Sequence, residues 1–99
     1  MRLTQNQIQI IQKCTQEIAG NQAKIRVFGS RLDHTARGGD IDLLLELPEA
    51  IENPALLAAQ LSAKISHAMH GRKIDVLLIA PNLMRLPIHE TALKEGVCL

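Results

Sequence analysis

Apolar residues recur at helical spacing over residues 4–19, with Ile8, Ile11 and Ile18 on one face and Gln5, Gln9, Gln12 and Gln16 on the other. Thr4 followed by Gln7 has capping-box spacing, and Gly20 is a natural C-terminal stop. The period then switches to two. Lys24-Ile-Arg-Val-Phe28 alternates polar and apolar residues and ends at Gly29-Ser30, which predicts a strand. After a polar link over 31–39, residues 41–47 form a very apolar run, the pattern of a central strand covered on both faces. Asn53-Pro54 opens a second helix, Asn as cap and Pro in the first turn, and Leu57, Leu61, Ile65 and Ala68 keep helical spacing up to Gly71. Residues 73–80 read as a third strand closed by Pro81, and a last helix is expected over about 88–95, stopping near Gly96. No repeat, low-complexity segment or linker interrupts the pattern, so one domain over 1–99 is expected.

The order helix, strand, strand, helix, strand, helix predicts an α+β fold with a small mixed three-stranded sheet flanked by helices. The short link between the first two strands suits an antiparallel pair, and the longer connection through helix 54–69 suits a parallel crossover. This topology has a chemical consequence. Gly29-Ser30 ends the first strand, Asp40 and Asp42 begin the second, and Asp75 lies near the start of the third, so all of them meet at one edge of the sheet.

Composition narrows the function classes. The chain is 46% hydrophobic, almost all of it aliphatic, which suffices for a core even though a chain of 99 residues buries only about 60–65% of its unfolded surface. A net charge of +1, the absence of Trp and Tyr, and a single Phe28 inside an apolar run argue against direct nucleic-acid binding, since neither a basic footprint nor a stacking platform is present. Cys14 and Cys98 lie near opposite ends with no CxxC pair, the usage of free thiols in a reducing compartment. Without a signal peptide or long apolar run, a cytoplasmic, membrane-free protein is expected. The aliphatic faces of the last helix and of helix 54–69 either complete the core or exceed what so small a domain buries, and an exposed apolar face there would mark a partner or homodimer surface.

The acids carry the chemistry. Asp40 and Asp42 are two apart at a strand start and share a face, and Asp75 is the lone acid in the apolar run Ile74 to Ile79. Two carboxylates about 5 Å apart repel by roughly 3 kcal/mol at an effective dielectric near 20. Such a cluster is relieved by protonation or by a cation, and hard oxygen ligands suit Mg²⁺, here as a two-ion site. A glycine after a strand lets the backbone approach a ligand closely, so Gly29 and the Ser30 hydroxyl form a candidate phosphate cradle, with Arg31 or Arg37 adding charge.

Plainer readings stand beside these. Asp-x-Asp after Gly-Gly is, alone, more often a turn with solvated acids, and Asp75 has Lys73 or Arg72 as an alternative partner. Apolar Leu43 to Leu45 excludes an EF-hand, and no Gly-Lys-Ser/Thr follows Gly29 to make a P-loop. His67 and His70 fall before Gly71, where histidine complements a helix C-terminus. His34 belongs to the polar link, and His89 has no evident partner.

The stretch from Phe28 through Gly29-Ser30 to Asp40-Ile-Asp42 resembles the Gly-Ser … Asp-x-Asp signature of the DNA polymerase β-like nucleotidyltransferase superfamily, and is most similar to its minimal nucleotidyltransferases. Asp75 matches the third carboxylate of that family, and the resemblance covers nearly the whole chain. Nine residues separate Ser30 from Asp40, one fewer than in many minimal members. The resemblance implies Mg²⁺-dependent transfer of a nucleoside monophosphate, usually AMP from ATP, to an acceptor hydroxyl. Catalysis and metal binding would rest on Asp40, Asp42 and Asp75, and nucleotide binding on Gly29, Ser30 and Arg31. It also implies a small helical HEPN-domain protein as partner, a ribonuclease toxin to which the chain is antitoxin. The alternative, suggested by the absence of room for a second domain, is a nucleotide-binding module that neutralises its partner by binding alone.

Overall fold

The computed structural model describes residues 3–29 and 40–99. Helix α1 (Gln5–Ala19) starts where the sequence places its cap: the Gln7 N–H donates to Thr4 Oγ1 at 3.1 Å, and the Thr4 N–H to Gln7 Oε1 at 2.9 Å. Strands β1 (Lys24–Phe28) and β2 (Ile41–Glu46) pair antiparallel, helix α2 (Pro54–Ala68) crosses over, and β3 (Ile74–Ile79) returns parallel to β2. The Asn53 side chain caps α2 by accepting from the Leu56 N–H at 3.2 Å. Helix α3 (Pro87–Glu95) follows, and Val97–Cys98 adds a short strand β4.

The mixed sheet is as expected, but it has four strands rather than three, in the order β3-β2-β1-β4. The extra strand forms because Gly96 does more than stop a helix. A Cβ there would collide with the Ala92 carbonyl and lie 3.3 Å from both the Arg26 Cβ and the Val27 carbonyl. Only a glycine lets the chain pass that close to β1, after which the Leu99 N–H reaches the Ile25 carbonyl at 3.0 Å.

Strand β2 is central, with Ile41, Leu43, Leu44 and Leu45 fully buried. Alternation sends Leu43 and Leu45 to a large cluster with Ile11, Cys14, Ile25, Val27, Leu61 and Ile65 beneath α1 and α2. Leu44 faces the other way, into a small cluster with Phe28, Ile79 and Ala92 beneath α3. Cys14 is buried and Cys98 exposed, both as free thiols. The Ser62 hydroxyl donates to the Ile74 carbonyl at 2.6 Å, pinning the start of β3 to α2. Leu56 of α2 and Ile88 of α3 stand in solvent, as do Met84 (81% exposed) and Leu86 in the segment before α3. No helix is long and apolar enough to cross a membrane among the described residues.

On the α3 side, Arg26 donates to Glu46 Oε1 at 2.8 Å and holds that carboxyl below its ordinary value of 4.5. A carboxyl lowered in the folded state stabilises fully above its unfolded value, and that contribution is lost as pH falls through the lower folded value. Glu46→Gln should therefore cost roughly 1 kcal/mol at pH 7 in urea unfolding. The deficit should shrink as pH drops below 4.5; a deficit constant with pH would exclude the ion pair as its source. Leu44→Ala, at a site closed on every side, should cost about 2–5 kcal/mol in the same assay.

Candidate functional site

The ladders assemble one end of the α3-side face row by row. Asp42 stands between Phe28 on β1 and Asp75 on β3, as register partner to both. Adjacent strands lie about 4.8 Å apart, so Asp42 and Asp75 rise side by side from the same face. One row closer to the edge the register sets Asp40 against Lys73, and the Ile41 N–H donates to the Lys73 carbonyl at 3.0 Å to carry the pairing to the strand ends. Asp40 and Asp42 are half-buried and Asp75 is exposed. Burial increases down the same face to Leu44, and beyond it Glu46 is half-buried in its ion pair with Arg26, so the apolar stretch of this face lies between two charged ends.

Gly29 closes this edge from the β1 side. Its φ is +73°, a conformation that side chains rarely adopt. A Cβ on Gly29 would fall onto Asp42 Oδ2, with Cγ 3.2 Å away. The corner proposed for phosphate therefore lies against the first strand acid, and the positive φ favours glycine there while a side chain would also displace the Asp42 carboxylate. Ser30 and Arg31, with His34 and Arg37, lie outside the described residues.

Backbone positions bring Asp40, Asp42 and Asp75 to one edge, but their side chains do not close into a ligand set. Among the described residues, no three His, Cys, Asp or Glu side chains form a group that could hold a metal ion. Instead, Asp40 Oδ2 lies 3.5 Å from Lys73 Nζ. Mutual repulsion of roughly 3 kcal/mol per carboxylate pair at about 5 Å works against convergence without a cation. The donor set still fits a hard divalent ion: carboxylate oxygens only, on paired strands, beside a backbone cradle that any side chain would fill.

Two residues escaped sequence reasoning. Lys73, considered there as a partner for Asp75, pairs with Asp40. The offset that pairs Asp42 with Asp75 also pairs residue 40 with residue 73, so the contact follows once the register is known. His89, which showed no partner in the sequence, is buried, and its Nδ1 accepts the Leu86 N–H at 3.0 Å as the cap of α3. His67 does lie in the last turn of α2, whereas His70 lies beyond that helix with a φ of +61°.

If contact with Asp42 is what excludes a side chain at position 29, Gly29→Ala should destabilise the native chain by about 2 kcal/mol or more. It should cost clearly less in an Asp42→Ala background, where only the dihedral penalty remains. Equal costs in both backgrounds, by chemical denaturation, would leave φ as the sole constraint.

No protein-family model and no curated protein matches the chain. Solved structures do. A toxin–antitoxin crystal structure with AMP-PNP superposes with a TM-score of 0.68 at 21% identity, over 97% of this chain and 72% of that one. The toxin–antitoxin MntA–HepT matches with a TM-score of 0.65 at 19% identity, over 96% of this chain and 70% of that one. A variant of such a complex, in which two aspartates two positions apart are changed to glutamate, matches with a TM-score of 0.67 at 20% identity, over 97% and 71%. At these identities the likeness is one of fold. The chain thus has the mixed α/β fold of a component of the MntA–HepT toxin–antitoxin pair.

Proposed function

We propose that this chain is a Mg²⁺-dependent nucleotidyltransferase of the minimal type, acting in the cytoplasm as antitoxin to a HEPN-type ribonuclease toxin. It transfers AMP from ATP to a hydroxyl of that partner. The observation that carries the reading is the Asp42–Asp75 register with Gly29 packed on the Asp42 carboxylate. A phosphate corner and a carboxylate pair at one sheet edge form the minimal equipment for chemistry on a triphosphate. The fold shared with toxin–antitoxin structures supports the biological role, and a neighbour with AMP-PNP supports the nucleotide. The paired aspartates altered in another neighbour have the spacing of Asp40 and Asp42.

In this mechanism Gly29 and Ser30 grip the β- and γ-phosphates through backbone N–H groups and a hydroxyl, and Arg31 adds charge. Asp40 and Asp42 would hold the metal ions, with Asp75 completing the ligand set. When bound, Mg²⁺ supplies charge stabilisation at the reacting phosphate and the departing pyrophosphate. Asp75, exposed at the edge, orients the acceptor hydroxyl and takes its proton. The acceptor oxygen bonds to the α-phosphorus, the bond from that phosphorus to the β-phosphate bridge oxygen breaks, and pyrophosphate leaves. The chain contains no Tyr, so a tyrosine acceptor belongs to the partner. The exposed Met84, Leu86 and Ile88 offer an apolar surface for that partner.

The test is transfer of label from α-³²P-ATP to the co-purified partner. Asp42→Asn should reduce it on the order of 100-fold or more while the far-UV CD spectrum is unchanged. Undiminished labelling would end the enzymatic reading. Lost labelling with intact neutralisation of the toxin in cells would favour neutralisation by binding alone.

A further inference from the structure

Lys73 forms an ion pair with Asp40, an acid of the candidate site, and the sheet itself puts it there. It precedes β3 by one residue, shares the parity of Asp75, and is held opposite Asp40 by the Ile41–Lys73 backbone bond of 3.0 Å. The resulting ion pair is long and wet: 3.5 Å, with the Lys73 side chain 70% exposed and that of Asp40 44% exposed. Pairs of this kind contribute little to stability and break readily. A lysine also suits a temporary occupant, because its ammonium is a point charge on a flexible stem that can withdraw into water, whereas arginine would engage a carboxylate with a rigid fork.

From this we infer that Lys73 is the resident counter-ion of the metal-free site, holding Asp40 until a divalent cation displaces it. The inference rests on the proposed reading of Asp40 as a metal ligand and adds the residue that competes with the ion. Lys73 relieves part of the repulsion among Asp40, Asp42 and Asp75 when the metal is away, and it turns the Asp40 carboxylate toward itself. Metal entry then requires exchange of one cation for another at Asp40.

Isothermal titration of the full chain with MgCl₂ tests this, alongside nitrogen-15 NMR of the lysine ammonium groups. Lys73→Gln should bind Mg²⁺ about two- to five-fold more tightly than the native chain, because the Lys73 ion pair no longer has to be broken. Lys73→Arg, which keeps the charge, should stay at or above the native Kd. In the native chain the Lys73 ammonium signal should shift with the same midpoint as the heat of Mg²⁺ binding. An unchanged Kd in Lys73→Gln, or a Lys73 signal indifferent to saturating Mg²⁺, would overturn the inference while leaving the metal site standing. Absence of any Mg²⁺ binding by the native chain would instead remove the metal site, and the role of Lys73 with it.

Discussion

The parallel pairing of β2 with β3 is the constraint on which the candidate site depends, because it sets two carboxylates beside each other at the end of a buried strand. Like charges so placed repel by a few kcal/mol. Burying each of Leu43, Leu44 and Leu45, none of which retains any exposure, contributes about 1.5–3 kcal/mol. The burial outweighs the repulsion, so the strand holds its register at the expense of electrostatics at its tip. A slip by one residue would turn Leu44 toward α1 and α2 and Leu43 and Leu45 toward the smaller cluster, which neither face is shaped to accept.

The two faces of the sheet are unequal, and that inequality decides where the acids stay accessible. Helices α1 and α2 cover one face with most of the core. On the other face α3 packs over Leu44 and Ile79, at the middle and far end of β2 and β3, and over Phe28, the β1 neighbour of Asp42. The row containing Asp42 and Asp75 lies at the near end, where Asp75 stays exposed and Asp42 half-buried. Ordinary hydrophobic coverage, thinning toward one edge, thus leaves the acids open to solvent and to a ligand.

Much of this was readable in the residues. The caps at Thr4 and Asn53, the apolar run of β2 and the alternation of β1 each express a local rule, and the chain obeys them. The convergence of Gly29, Asp40, Asp42 and Asp75 on one edge followed from connection lengths alone. What escaped was set by proximity between distant segments. Strand β4 exists because Gly96 admits the chain against Arg26 and Val27, and no local signal separates that use of glycine from a helix stop. The Lys73–Asp40 pair needed the β2–β3 register, and the His89 cap needed the backbone direction entering α3.

The position of β3 at the end of the strand order carries a consequence apart from catalysis. Its six residues read Ile-Asp-Val-Leu-Leu-Ile, and Asp75 is the sole charge among them. Open, apolar edge strands invite other chains to add on, and a single charge is a common guard against such aggregation. Asp75 is therefore both the guard of this edge and a member of the candidate site. Replacing it by a neutral residue leaves an uncharged, sticky border on the sheet and favours self-association, whereas glutamate keeps the guarding charge while moving the carboxylate.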